Sequence, residues 1–340
     1  MIIGIIKELS DYEQRVAATP ESVAEFTAAG FKCLIEHNAG TAAGFADADY
    51  IKAGAAVAEN AKAVAGNCDI LPKIVAPLPS EWGAIKKNCV IIADFRDFLP
   101  EQLPPESRIT CFALEKIPRI SRAQNMDILS SQDNLAGYKA ALLAANISKK
   151  DIPMMITAAG TLAAAKVMVV GIGVAGLQAI ATAKRLGASV FASDIRPETK
   201  EQAESLGARF VDNADLSAKL PAMDIIITAA GSPPKAPALF DSHLLRRLNA
   251  NCVVIDISGN FHDMDSPQTL SDNGRTLVCY RKAAALLAHS ASRLFAENVF
   301  NFISLLYPQA ADTDFNFADD IIAQTCICYR GQLRKDEKNA

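Results

Sequence analysis

The chain has 340 residues, half of them hydrophobic and 21% charged, with a formal net charge of −4. That length asks for two domains of ordinary size, and so much apolar material excludes a disordered or fibrous chain. The mildly acidic balance excludes general nucleic-acid binding, and no run approaches the roughly 18 uninterrupted apolar residues of a membrane span.

The first fifteen residues, MIIGIIKELSDYEQR, are apolar for too short a run and lack the charged leader of a secretory signal, so a soluble cytoplasmic protein is expected. Short apolar runs rich in β-branched residues then read as buried strands at 2–6, 32–37, 69–75, 90–93 and 109–114. Between the first two, Thr19 suits a helix N-cap and Pro20 the first helical position. That helix would bury Val23, Phe26 and Thr27 and stop at Gly30. Repeated strand–helix alternation predicts a parallel sheet covered on both faces.

A connecting helix is expected over 130–147, and a second alternating series follows, with strands at 166–170, 189–193, 208–211, 224–229, 252–257 and 276–280. LFAENVFNFISLLY, after residue 290, reads as a helix returning to the first domain. The expected fold is therefore α/β, with two Rossmann-like domains, parallel sheets and an interdomain cleft. The N-terminal domain would comprise 1–130 plus 291–340 and the dinucleotide-binding domain 131–290.

Cysteines sit mostly inside apolar runs, where a thiol acts as a small hydrophobe, and there is no Cys-x-x-Cys pair. Cys326 and Cys328, two apart, suit one face of a strand. His37, His243, His262 and His289 add no ligand spacing, so no metal site is expected.

The clearest chemical signal is Gly171-Ile172-Gly173-Val174-Ala175-Gly176, which follows an apolar strand and opens a helical stretch ending at Gly187. Alone, three glycines in this pattern are weak evidence, but each has a separate task in this setting. Gly171 permits the tight turn, Gly173 the approach of backbone to a pyrophosphate, and Gly176 close helix–strand packing. The helix N-terminus adds N–H groups and a partial positive charge. Asp194 follows the next strand, eighteen residues after Gly176, where an acid would hold the adenosine ribose hydroxyls. The bland alternative is a helix-packing turn with a solvated aspartate. Arg196 stands close enough to meet a 2′-phosphate, but Asp194 would repel that phosphate by about 4 kcal/mol at 4 Å and an effective dielectric of 20. NAD(H) is thus expected in preference to NADP(H), with Val174, Ile195 and Gly231 as further cofactor-binding positions.

A polar loop, Pro118-Arg119-Ile120-Ser121-Arg122-Ala123-Gln124-Asn125-Met126-Asp127, leads into the connecting helix. Taken with 118–140, the stretch 154–210 (MMITAAGTLAAAKVMVVGIGVAGLQ and onward) strongly resembles the NAD(H)-binding component of proton-translocating NAD(P) transhydrogenases, relatives of alanine dehydrogenase. The N-terminal GIIKELSDYEQRVAATPESVAEFTAAGF and the tail DDIIAQTCICYRGQL are similar too.

The resemblance implies that Arg119, Gln124 and Asp127 position the nicotinamide and its ribose, with Ser121, Arg122 and Ser130 as further cofactor contacts. It implies direct hydride transfer from NADH to NADP+ held on a partner subunit, a step that needs geometry rather than a general acid or base. It implies an NADP(H)-binding partner and a membrane partner, a homodimer, and peripheral association with the inner membrane. An amino-acid dehydrogenase would instead need a histidine and an acid at the substrate carbonyl, plus Arg15 and Lys73 for its carboxylate. The region around Arg96 has no histidine, and Asn260 stands where the acid is expected.

Three departures from the family stand out. Only DNADLSAKLPAM (212–223) replaces a long insertion and mobile loop, Lys282-Ala283-Ala284-Ala285-Leu286 replaces an Asn-Val-Pro-Ser-Arg motif, and Asn260 replaces the acid. Loss of a closing loop would weaken binding and admit water. A divergent NAD(H)-binding module without turnover is therefore the alternative of a different class.

Overall fold

The computed structural model describes residues 1–98, 103–231, 237–261, 263–264, 266–309 and 314–334. Among the histidines considered above, His262 lies outside them. The chain separates into two compact units, one of residues 1–132 and 287–340 and the other of residues 133–286.

The chain opens with strand β1 (Ile2–Ile5), helix α1 (Pro20–Ala28), β2 (Lys32–Glu36), α2 (Asp47–Lys52), β3 (Ala55–Ala58) and α3 (Ala61–Ala65). Three more strands follow, β4 (Ile70–Val75), β5 (Val90–Asp94) and β6 (Thr110–Ala113), before helix α4 (Ile128–Ile147). The second unit then runs β7 (Met155–Thr157), β8 (Gly160–Leu162), β9 (Lys166–Val170), α5 (Val174–Arg185), β10 (Ser189–Ser193), α6 (Thr199–Ser205) and β11 (Arg209–Phe210). It continues through α7 (Asn213–Lys219), β12 (Ile225–Thr228), β13 (Val253–Asp256), β14 (Gln268–Asp272) and β15 (Arg275–Cys279). Helices α8 (Ala288–Leu306) and α9 (Asp320–Thr325) and strands β16 (Cys326–Tyr329) and β17 (Gln332–Leu333) return to the first unit.

The first unit's sheet has the order β17-β16-β6-β5-β4-β1-β2-β3. It is parallel except where β16 pairs antiparallel with β6 and with β17. Successive residues alternate between two cores. Ile3, Ile5, Ile70, Val90, Ile92 and Phe112 face one, while Ile6, Leu71, Ile91, Ala93 and Cys111 face the other. Both faces are therefore dry, as expected for parallel strands whose crossovers are helices.

Helix α1 is capped as its sequence predicts: Thr19 Oγ1 accepts the Ser22 N–H at 3.5 Å, the Thr19 N–H donates back to Ser22 Oγ at 2.9 Å, and Pro20 takes the first turn. Val23 and Phe26 are buried, but Thr27 is exposed and Ser22 is buried in its place. Closing the capping box turns Ser22 inward, while Thr27 Oγ1 bonds back to the Val23 carbonyl at 2.8 Å. Gly30 ends the helix with φ of +90°. Cys326 and Cys328 are both buried, but not on one face of β16: a register irregularity lies between them, so Cys326 joins the first core and Cys328 the second.

The second unit's sheet has the order β11-β10-β9-β12-β13-β15-β14, with only β14 antiparallel. Met168, Val170, Ile226, Val254 and Leu277 form one core. Val167, Val169, Ile225 and Ile227 are buried on the opposite face. Helix α4 packs on α5 without a gap: a β-carbon at Gly137 would lie 2.0 Å from the Ala175 carbonyl oxygen. No helix among the described residues is long and apolar enough to cross a membrane.

Candidate functional site

Strand β9 ends at the glycine-rich turn. Gly171 has φ of +94°, and a β-carbon there would stand 2.5 Å from the Ala229 carbonyl oxygen. Any side chain would therefore force apart the ends of β9 and β12. At Gly176 a β-carbon would meet the Gly171 carbonyl oxygen at 1.9 Å, which is the close packing of helix on turn. Gly173 differs, because a β-carbon there would meet nothing within 4 Å. The space above it is open to a ligand approaching the backbone. Gly173 also serves as N-cap of α5 without a side-chain cap, and the first turn carries no acid, so the N–H groups and the helix dipole are left for an anion.

Asp194, just past β10, is tied to that turn. Its Oδ2 accepts the Ile172 N–H at 2.7 Å, and its Oδ1 accepts the Arg196 N–H at 2.9 Å. The Arg196 guanidinium closes on both oxygens, Nε to Oδ1 at 3.1 Å and Nη2 to Oδ2 at 3.0 Å. Burial works to raise the Asp194 pKa, but Arg196 and the two backbone N–H groups outweigh it and hold the carboxyl below its ordinary value. Val174 begins α5, Ile195 is largely exposed, and Gly231, with φ of +77°, directly follows Ala230. Thus Gly171, Gly173, Val174, Gly176, Asp194 and Arg196 come together at the carboxyl end of one sheet, where such folds place ligands.

The polar loop of the first unit forms a short 3-10 helix, Ser121–Met126. Arg119, Ser121 and Gln124 are exposed. Arg122 is engaged with the acids at the start of α9, Nη1 reaching Asp319 Oδ2 at 2.6 Å and Nη2 reaching Asp320. Asp127 caps α4: its Oδ1 accepts the Ser130 N–H at 3.0 Å and its Oδ2 the Ser130 hydroxyl at 2.6 Å. Helix α8 pins the loop through Asn298 Nδ2, which donates to the Asn125 carbonyl at 2.8 Å.

The cations considered for a substrate carboxylate are already committed. Lys73, 1% exposed, lies 3.1 Å from Glu8 Oε2 and 2.9 Å from Glu81 Oε1. Arg15 grips Glu13 at 2.7 and 2.8 Å and donates to Gln132 Oε1 at 2.7 Å. Arg96 closes on Asp94 at 2.6 Å. Nearby, burial and then the Asp94 charge push Glu115 up to about 7.

Sequence reasoning missed a second buried network. Asp256, at the end of β13, accepts N–H groups from Ser258, Gly259, Asn260 and Phe261 and the Thr228 hydroxyl, all within 3.1 Å. Asn260 is itself fully buried and bonded to Ala230 and Pro237. The DIS-G-N spacing after a strand was the available signal. Within 282–286, Ala283, Ala284 and Ala285 are buried, and the 212–223 link is one short helix and a 3-10 turn.

Parallel Rossmann-like sheets carrying this turn define an α/β protein of the pyridine-nucleotide dehydrogenase class. Comparison narrows it. Residues 4–136 match the alanine dehydrogenase/PNT N-terminal domain and residues 140–336 the alanine dehydrogenase/PNT C-terminal domain. The chain is 35% identical over 374 residues to an NAD(P) transhydrogenase subunit alpha of Rhodospirillum rubrum, covering 98% of this chain and 97% of that one. A solved transhydrogenase from Sinorhizobium meliloti superposes with a TM-score of 0.90 at 37% identity, covering 98% and 100% of the two chains. Alanine dehydrogenase of Bacillus subtilis is more distant, at 26% identity over 76% of this chain and 70% of its own. The chain belongs to the alanine dehydrogenase/PNT family, and within it to the transhydrogenase alpha subunits. The alignment with the Rhodospirillum rubrum protein outruns the chain, 374 positions against 340 residues, so at least 34 of its positions have no counterpart here.

Proposed function

We propose that this chain is the NAD(H)-binding peripheral subunit of a proton-translocating NAD(P) transhydrogenase, passing hydride between NADH and NADP+ held on a partner subunit. The observation that carries the reading is the joined unit of glycine turn and acid, in which Asp194 holds the Ile172 N–H at 2.7 Å beside an open Gly173. When bound, NADH supplies a hydride from its nicotinamide ring. The turn and the α5 N-terminus hold the pyrophosphate, and Asp194 holds the adenosine ribose. Arg119, Gln124 and Asp127 orient the nicotinamide and its ribose, assisted by Ser121 and Ser130. No residue is asked to move a proton, because hydride exchange between two nicotinamides neither creates nor consumes one at a heteroatom.

The partners are an NADP(H)-binding subunit and a membrane subunit, which places this chain in the cytoplasm at the inner-membrane surface. A homodimer is supported by the β7–β8 hairpin, whose Met154, Met155, Ile156 and Leu162 are all exposed, Ile156 by 75%. The short 212–223 link favours a second reading, an NAD(H)-binding module without turnover. A stopped-flow assay decides between them. Protein mixed with its NADP-binding partner should exchange hydride between NADH and an NADP+ analogue, and binding without exchange would establish the second reading.

A further inference from the structure

Asn260 is fully buried, and the three bonds of its side chain fasten separate pieces of backbone. Its Oδ1 accepts the Ala230 N–H at 3.1 Å, while its Nδ2 donates to the Ala230 carbonyl at 2.8 Å and to the Pro237 carbonyl at 3.0 Å. Its own N–H donates to Asp256 Oδ1 at 3.1 Å. The Asn260 carbonyl in turn receives the N–H groups of Leu239 and Phe240, both at 3.0 Å.

Ala230 is no incidental neighbour. The place a Gly171 β-carbon would take lies 2.6 Å from Ala230 Cα, so Ala229 and Ala230 form the wall against which the glycine turn is folded. Gly231 follows at once. The order of support runs from Asp256, which collects four backbone N–H groups, to Asn260, to Ala230, to Gly171.

We propose that Asn260 is a positioning residue of the dinucleotide site, acting through Ala230 to hold the wall of the Gly171 turn; this rests on the NAD(H) reading above. Only a carboxamide meets the demand here, one acceptor for an N–H and two donors for two carbonyls. A carboxylate would accept the Ala230 N–H but would turn lone pairs and charge toward two carbonyl oxygens in a fully buried position. The position at which an acid was expected thus carries an amide because its work is to align backbone.

The test compares NADH dissociation constants of the full chain, by calorimetry well below each melting temperature, for the native protein, Asn260→Asp, and Leu277→Ala. The last is a buried core change with no polar partner, chosen to lower stability alone. Asn260→Asp should weaken NADH binding about tenfold or more, as a misaligned turn loses pyrophosphate bonds, while Leu277→Ala leaves the constant of the folded protein unchanged. If Asn260→Asp does not fold, Asn260→Ser, which removes both donations without adding charge, carries the same comparison. Native affinity within twofold in the folded variant would overturn the positioning role alone. Failure of the native protein to bind NADH would overturn the nucleotide reading, and this inference with it.

Discussion

The Asp194 carboxylate has no lone pair to spare, because Arg196 takes most of it. Four hydrogen bonds of 2.7 to 3.1 Å converge on its two oxygens, three of them from Arg196. A carboxylate offers about four acceptor positions in all. The Asp194 side chain is only 6% exposed, whereas that of Arg196 is 51% exposed. Ribose hydroxyls can therefore reach the acid only by displacing the guanidinium, which can swing into solvent once Nη2 also gives up its 3.3 Å bond to the Ile172 carbonyl.

This fixes the expected pattern of nucleotide affinity. Calorimetry should show NADH binding well and NADPH much more weakly, because a 2′-phosphate would confront Asp194. Removing the competitor in Arg196→Met should tighten NADH by about two- to fivefold, the scale of an exposed ion pair. Asp194→Ala should weaken NADH and reduce the preference. Equal affinity of the native protein for both nucleotides would remove Asp194 from the ribose.

The strand pattern and the glycine turn were legible because they rest on local rules. Apolar β-branched runs and a G-x-G-x-x-G between strand and helix name their own conformation. Strand β3 was not legible: Ala55-Ala56-Val57-Ala58 is mostly alanine, a poor strand former, and it pairs at the sheet edge with two of its four residues exposed. The β7–β8 hairpin escaped for a related reason, since all six of its strand residues are exposed and show no alternation. Within the candidate site, Asp194 could be placed from spacing, but its capture by Arg196 could not. Nor could the closing of Lys73 between Glu8 and Glu81, which joins residues 8, 73 and 81 only once β1 and β4 lie side by side.

That closed triad predicts how Lys73 behaves. Burial opposes its charge, but Glu8 and then Glu81 outweigh it and raise its pKa. Lys73→Met would leave two carboxylates buried without their cation, at a cost of about 3–5 kcal/mol in urea unfolding. A lysine kept for a substrate anion would cost little when removed. In the same vein, no reduction of NAD+ with L-alanine should be seen at any pH, and steady turnover would restore the amino-acid dehydrogenase reading.

Glu115 should give the first unit a measurable pH dependence. Its ordinary pKa of 4.5 is raised to about 7 in the folded protein, chiefly by burial and then by Asp94, with the Phe95 N–H and Arg96 pulling the other way. Between those values the unfolded chain has released the proton and the folded chain still holds it. The contribution of Glu115 is therefore fully present below about 4.5 and lost as pH rises through about 7. Glu115→Gln keeps an acceptor for the Phe95 N–H and should flatten this dependence. Its stability relative to the native protein should rise between pH 4.5 and 8 by about 3 kcal/mol at most. Parallel curves for the two proteins would show that Glu115 ionises normally.

The polar loop offers the sharpest separation of binding from turnover. Gln124 is exposed and its side chain makes no bond that holds the fold among the described residues, whereas Asp127 caps α4 through Ser130. Gln124→Ala should therefore leave stability unchanged, while Asp127→Ala should cost about 1 kcal/mol as a lost cap. Asp127→Asn keeps an acceptor for the Ser130 N–H and should recover most of that stability. If the loop orients the nicotinamide, both Gln124→Ala and Asp127→Asn should lower hydride exchange with the NADP-binding partner by about 100-fold, the scale of a misplacement near 1 Å. NADH affinity should fall by no more than a few-fold, because the turn and Asp194 remain. Equal losses in affinity and exchange would make these residues general binding groups. Unchanged exchange in Gln124→Ala would take the loop out of the reaction altogether.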